Sequence, residues 1–189
     1  MSTKRKAIVP ALVAGGLTAI TVALLRRMED EYADQDTLTT RTVSAMYATY
    51  CLHTTALAWA TAKRIGPLPL PPRLARTSGT TLAMGGAGVV LAGARPFGAS
   101  RQLSGMEPGA LHTAGIYRYS RNPQYLGLGL VATGAAISAR SAFATLLATG
   151  VWLAFRRWIP NEEHHLTRTF GQQYQNYRAT APRWLGKPR

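Results

Sequence analysis

Residues Tyr125–Phe155 read YLGLGLVATGAAISARSAFATLLATGVWLAF, an apolar run interrupted only by Ser138, Arg140 and Ser141. From Pro123 to Ile137 a helix measures about 22 Å at 1.5 Å per residue, short of the roughly 30 Å hydrocarbon core of a bilayer. Ser138–Ser141 predicts a turn, and a second arm follows to Ile159. The stretch therefore predicts a tight helical hairpin, with Arg140 extending its aliphatic stem so that the guanidinium reaches the headgroups.

Three further apolar blocks lie N-terminal to it, Ala7–Leu25, Thr42–Ala62 and Thr77–Ala94. Each is close to the roughly 20 residues that a spanning helix needs. Their threonines and glycines dilute the hydropathy, but such residues are common where membrane helices pack. The mean hydropathy of −0.04 hides this blockwise pattern. No alternating strand pattern and no internal repeat occurs. The expectation is an all-α integral membrane protein of about five transmembrane helices, the last two forming the hairpin. After Pro160, Leu166, Phe170, Tyr174 and Tyr177 recur at helical spacing between polar residues, which predicts a C-terminal amphipathic helix weakened or kinked at Gly171. The 189 residues form one domain, in which residues 7–110 shape one part of the bundle and residues 111–185 another.

Charge and composition narrow the function. A net charge of +14 raises the question of nucleic acid, but the basic residues are scattered and do not interleave with aromatics as a nucleic-acid groove requires. Anionic headgroups account for the excess better, which makes membrane lipids the expected partners. The single cysteine, Cys51, excludes an internal disulfide and a multi-cysteine metal site, and the histidines show no i, i+4 metal pairing. Lys4-Arg5-Lys6 followed by an apolar run resembles a secretory signal, but the run is long and ends in Arg26-Arg27, which predicts a retained helix. In a five-helix arrangement the side carrying Arg26, Arg27, Arg95, Arg101, Arg118, Arg121 and the C-terminal segment is the more basic. That predicts a cytoplasmic C-terminus, although Lys4–Lys6 argue the other way.

Five of the eight acidic residues (Glu29, Asp30, Glu31, Asp34, Asp36) crowd what reads as the first loop, a solvated charge run with no assigned role. Glu107, Glu162 and Glu163 remain. Asn161 is a good N-cap and glutamates in a first turn favour the helix dipole, so spacing alone leaves Glu162 and Glu163 open between a helix start and a binding site. Upstream, Leu111–Gly129 reads LHTAGIYRYSRNPQYLGLG, polar and rich in Arg and Tyr, running straight into an apolar helix with Pro123 suited to its first position. An interfacial loop anchored by Tyr and Arg is the plain alternative for this segment.

The run Gly115-x-Tyr117-Arg118-Tyr119-x-Arg121-Asn122-Pro123-x-Tyr125-x-Gly127 resembles the signature of the isoprenylcysteine carboxyl methyltransferase and phospholipid methyltransferase family. So does Glu162-Glu163-x-x-Leu166-x-x-x-Phe170-Gly171-x-x-Tyr174-x-x-Tyr177, ending in Pro182-Arg183. The likeness covers about residues 111–185. It implies a membrane enzyme that transfers a methyl group from S-adenosylmethionine to a lipid-like acceptor at the cytoplasmic face of the inner membrane. It further implies that Tyr117, Arg121, Asn122, Pro123, Tyr125, Leu126, Gly127, Gly129, Glu162 and Glu163 hold the cofactor, the glycines letting the nucleoside lie against the helix. The acceptor pocket then falls to residues 7–110.

The family often has His where Asn122 stands, and Asn cannot carry a proton. His112, just before the signature, and Arg157, where the last membrane helix leaves the bilayer, are the candidate catalytic residues. The first could take a proton from the acceptor and the second could orient an anionic head. Phospholipid amine N-methylation, NADPH-dependent reduction of a membrane lipid and a non-catalytic scaffold are the alternatives. Gly127-Leu128-Gly129 lacks the third glycine and the preceding strand of a dinucleotide site.

Overall fold

The computed structural model describes residues 3–98, 101–107 and 109–188, with residues 3–7, including Lys4, Arg5 and Lys6, described by their backbone alone. Five α-helices follow one another: α1 (Thr3–Asp34), α2 (Thr40–Ala62), α3 (Pro72–Ala94), α4 (Pro123–Ala139) and α5 (Ala142–Thr180). Short 3₁₀ turns occupy Arg95–Phe97, Arg101–Ser104 and Gly115–Arg118, and no strand occurs among the described residues. Local chemistry sets the boundaries. Thr39 caps α2 by accepting from the Thr42 N–H, and prolines with pre-set φ open α3 and α4. Arg140 turns the chain in the left-handed region, after which the Ser141 hydroxyl caps α5. Thr133 then meets Trp152 and Tyr125 meets Glu162, so α4 and α5 run antiparallel.

Two boundaries correct the sequence reading. α1 does not stop at Arg27 but carries the acidic segment as helix to Asp34. Glu31 there is buried and accepts from Arg27, from the Thr39 backbone and from the Thr39 and Thr42 hydroxyls, at 2.5–3.1 Å. This carboxylate ties the end of α1 to the start of α2 and is not a solvated loop charge. Likewise no new helix starts at Asn161. α5 continues through Pro160 and breaks at Gly171, whose φ of 51° and ψ of −126° are not helical. Pro160 forfeits one helical hydrogen bond, and Asn161 donates to Glu29 at 2.7 Å in place of capping.

By length and composition, Ile8–Asp34 in α1 is the one segment among the described residues long and apolar enough to cross a bilayer. The other helices fall short because α4 has 17 residues and the rest are diluted by Thr, Gly and charge. Their outward faces are nonetheless apolar, with Leu52, Leu74, Met84, Leu91, Leu146 and Leu153 all exposed.

The tightest seam joins α3 to α4. Gly86 and Gly127 face each other, and a Cβ on either would lie 2.7 or 2.6 Å from the other's carbonyl oxygen. One heptad away Gly79 meets Gly134 in the same manner. Gly127 was expected to open backbone to a ligand; it is filled by α3. Gly129 is likewise filled by the Trp152 ring. At the end of the bundle nearest the α4–α5 turn, Leu17, Ala60, Ala136, Phe143 and Ala144 pack into a closed core. At the other end the core divides into two clusters, one around Met28, Tyr32, Met46 and Trp158, the other around Tyr117, Tyr174 and Tyr177.

Gly86→Ala or Gly127→Ala should destabilise the protein by about 1–3 kcal/mol, because backbone on the facing helix must move. Gly85→Ala and Gly88→Ala, where an added Cβ meets nothing within 4 Å, should be neutral or slightly stabilising. Thermal unfolding in detergent checks the contrast.

Candidate active site

Between the two divided clusters lies a cavity of about 380 Å³. Eight of the residues singled out from the sequence line it: His112, Tyr117, Arg121, Asn122, Pro123, Tyr125, Glu162 and Glu163. Leu126, Gly127, Gly129 and Arg157 do not. Leu126 and the two glycines face protein, while Arg157, with a mostly exposed side chain, pairs with Glu29 at 2.9 Å. His53, at mid-helix in α2, bonds the Thr49 carbonyl of its own helix. Tyr32, Trp158 and His165 also line the cavity and were not picked out by sequence, and Tyr174, which the sequence placed in the amphipathic pattern and the second signature, lines it too. Trp158 precedes Glu162 by one helical turn but lies outside both signatures, and the helical spacing of Tyr174 gave no sign of the cavity.

The two glutamates have different employment. Glu163 is buried, its side chain 6% exposed, and it is held by Arg121 at 2.8 Å and Arg183 at 2.5 Å. Burial alone would push its carboxyl up, but hydrogen bonds from Arg183 and Arg121 outweigh that and hold it below the usual carboxylate range. Arg121 also donates to the Ala181 and Arg178 carbonyls, which draws the end of α5 onto the signature segment. The tail completes the stitch. The Arg121 N–H donates to Pro182, the Asn122 side chain to the Arg183 carbonyl and the Gly186 N–H to Tyr119, at 2.9–3.1 Å.

Glu162 has no cationic partner among the described residues. Its Oε2 accepts from the Tyr125 hydroxyl at 2.8 Å, and that hydroxyl in turn accepts from the Trp158 indole at 3.0 Å. Burial pushes the Glu162 carboxyl up, opposed by the Tyr125 and Trp158 hydrogen bonds. On the facing wall the Tyr117 hydroxyl donates to Gly93 and accepts from Gln124, and burial raises Tyr117 to about 12. The cavity therefore presents one unpaired carboxylate among aromatic rings, next to a carboxylate that two arginines neutralise. Such a lining suits a cation, through charge on one side and ring faces on the others. No group of residues that could hold a metal occurs among those described.

A family model described as phospholipid methyltransferase matches residues 74–173, just over half of the chain. Among curated proteins, protein-S-isoprenylcysteine O-methyltransferase B of Arabidopsis thaliana is 34% identical over 73 residues, 38% of this chain and 37% of its own length. Protein-S-isoprenylcysteine O-methyltransferase of Schizosaccharomyces pombe is 38% identical over 73 residues, 38% of this chain and 31% of its own length. Protein-S-isoprenylcysteine O-methyltransferase A of Arabidopsis thaliana is 34% identical over 92 residues, 48% of this chain and 46% of its own length. The chain thus matches between about a third and a half of the length of these relatives. No solved structure matches it.

The arginine clamp generates a pH dependence whose sign follows from Glu163. Its depressed folded pKa means that its stabilisation is complete above the ordinary carboxylate value of about 4.3 and is lost as pH falls through the lower folded value. The exchange protection of the Arg121 N–H, which donates to Pro182, and of the Gly186 N–H, which donates to Tyr119, should fall below about pH 4. Glu163→Gln should produce the same loss of protection at neutral pH and lower the melting temperature, at a cost of about 2–4 kcal/mol for two arginines that lose their counter-ion.

Proposed function

The chain belongs to the phospholipid methyltransferase family, and on that premise we propose that it is an integral membrane enzyme that methylates the polar head of an amphiphile, using S-adenosylmethionine. The observation that carries this reading is Glu162, the one carboxylate of the cavity without a basic partner among the described residues, set against Tyr125 and Trp158. The donor carries a sulfonium, an ammonium, a carboxylate and a ribose diol, and the residues present fit its cationic groups and its diol. Glu162 suits the ammonium or the diol, and the aromatic lining suits the sulfonium.

When bound, S-adenosylmethionine would supply an electrophilic methyl group for in-line displacement. This chain's residues then bind, orient and dry. Glu162 anchors one end of the donor, Tyr125 and Trp158 fix the Glu162 rotamer by their hydrogen bonds, and the surrounding rings exclude water. The proposed arrangement is five membrane helices with the segment before α4 and the C-terminal tail on the cytoplasmic side, in keeping with the Lys and Arg distribution. The apolar residues exposed around the bundle, Leu12, Met84, Leu91 and Leu153 among them, support a lipid surrounding. Tyr47, Tyr50 and Leu128 line the cavity while also being exposed on that apolar surface, which supports entry of the acceptor from the bilayer.

For the acceptor head we favour a carboxylate, as in the protein-S-isoprenylcysteine O-methyltransferases to which the chain is similar. The physical support is charge neutralisation. A carboxylate and a sulfonium react to give two neutral products, so a site that removes water from both favours the step without needing a protein cation. An amine acceptor conserves the charge and must shed a proton, while Glu162 is committed to the donor.

Two measurements test the reading. Glu162→Gln should weaken S-adenosylhomocysteine binding to the purified protein at least tenfold, about 1.4 kcal/mol; unchanged affinity refutes the assignment. With methyl-labelled S-adenosylmethionine, membranes containing the protein should yield lipid-soluble label that alkali converts to volatile methanol. Alkali-stable label would reassign the acceptor to an amine or thiol, and label confined to the aqueous phase would remove the amphiphile.

A further inference from the structure

We infer that His112 is the purine-recognition residue of the site, holding the adenine edge of the donor against the Phe97 and Tyr117 wall. The inference rests on the methyl-donor reading above and deepens it. His112 lines the cavity, and its Nε2 is buried with no hydrogen-bond partner among the described residues. An orphaned buried nitrogen forfeits its hydration without compensation, a cost that a ligand hydrogen bond would offset. Among the described residues one other that lines the cavity carries such an atom, His165 through Nδ1, and Asp36 already lies 3.5 Å from that nitrogen.

The surroundings of His112 select the class of ligand group. Phe97 meets its ring edge-to-face at a centroid separation of 4.5 Å, and the Tyr117 ring lies 6.3 Å away. Leu111 and Phe170 belong to the same apolar cluster. This wall offers no uncommitted charge, since Arg121 is spent on Glu163 and on main-chain carbonyls. The Tyr117 hydroxyl is also spent, between Gly93 and Gln124. A zwitterionic amino-acid end would be stranded here without a counter-ion. A flat, neutral, aromatic group with a polar edge is suited to it, and of the parts of S-adenosylmethionine only the base has that character. The opposite wall, with Glu162, suits the donor's ammonium, so the donor would lie across the cavity from the Phe97 side to the Trp158 side. With the tautomer that leaves Nε2 bare, His112 accepts from the adenine 6-amino group.

The test pairs a deleted ligand atom with a deleted side chain. S-adenosylhomocysteine and S-inosylhomocysteine, whose base carries an oxygen in place of the 6-amino group, are titrated against the full-length protein in detergent. Wild type should prefer the adenosyl ligand at least fivefold. His112→Phe should weaken the adenosyl ligand and bring the ratio close to one, whereas His112→Gln, which keeps a hydrogen-bonding group, should preserve part of the preference. Glu162→Gln should weaken both ligands equally and leave the ratio intact. A wild type that does not discriminate, or a ratio unchanged in His112→Phe, overturns the assignment of His112 while leaving the donor reading in place. If neither ligand binds wild type, the donor reading itself fails and takes this inference with it.

Discussion

The bridge from Glu163 to Arg121 and Arg183 is the constraint on which the rest of the cavity depends. It joins three pieces of chain that lie far apart in sequence: the segment before α4, the middle of α5 and the tail beyond it. Isolating a carboxylate from water costs several kcal/mol unless its lone pairs are satisfied. Here two guanidiniums satisfy them, and the same Arg121 reaches on to the carbonyls at the end of α5. A carboxylate so engaged accepts four hydrogen bonds from the two guanidiniums. Its neighbour one residue earlier is rotated about 100° around the helix and meets a tyrosine in place of an arginine. Adjacent glutamates thus divide into a structural anchor and a chemically available group because of what α4 and the tail present to each.

The clamp positions side chains only because α4 itself is fixed. The glycine seam with α3 leaves α4 no freedom to slide, since carbonyl oxygens of one helix occupy the space that side chains would need on the other. Pro123, at the head of α4, packs beside Gly93 at the end of α3. That contact sets where Arg121, Asn122 and Tyr125 emerge relative to the cavity. Close packing by small residues at one end and divided aromatic clusters at the other give the bundle one tight end and one hollow end.

Much of this was legible in the sequence where the cause is local. Proline at the first position of α4 and the turn at Arg140 each depend on residues within a turn of one another, and both appear within the stretches where the sequence put them. The grouping of Tyr117, Arg121, Asn122, Tyr125 and the glutamates around one cavity was legible through a resemblance, not through spacing. What was illegible depends on distant partners. α1 runs on through its acidic residues because Arg157 and Asn161 of α5 meet Glu29 and because Thr39 and Thr42 meet Glu31. Pro160 fails to end α5 because one lost hydrogen bond is small beside the packing of Trp158 and Ile159. Glycines in a signature near a cofactor segment invite a ligand reading; only the facing helix shows that Gly127 and Gly129 are already filled.

Asn122 illustrates how geometry decides what a departure from a family pattern means. An imidazole is common at this position in similar sequences, and a proton-transfer role there would be lost with Asn. In this structure the side-chain amide donates to the Arg183 carbonyl at 3.0 Å, and the backbone N–H is taken by the Ser120 hydroxyl. The task at position 122 is therefore to hold the tail that carries Arg183, and Arg183 in turn holds Glu163. An amide N–H and a neutral imidazole N–H can both donate to a carbonyl, so the exchange preserves the clamp. In the proposed displacement a carboxylate acceptor brings its own negative charge and has no proton to lose, so the reaction needs no base at this position. The departure at Asn122 thus leaves both the architecture and the proposed chemistry intact, and His112 and His165 each bring to the cavity an imidazole nitrogen with no hydrogen-bond partner among the described residues.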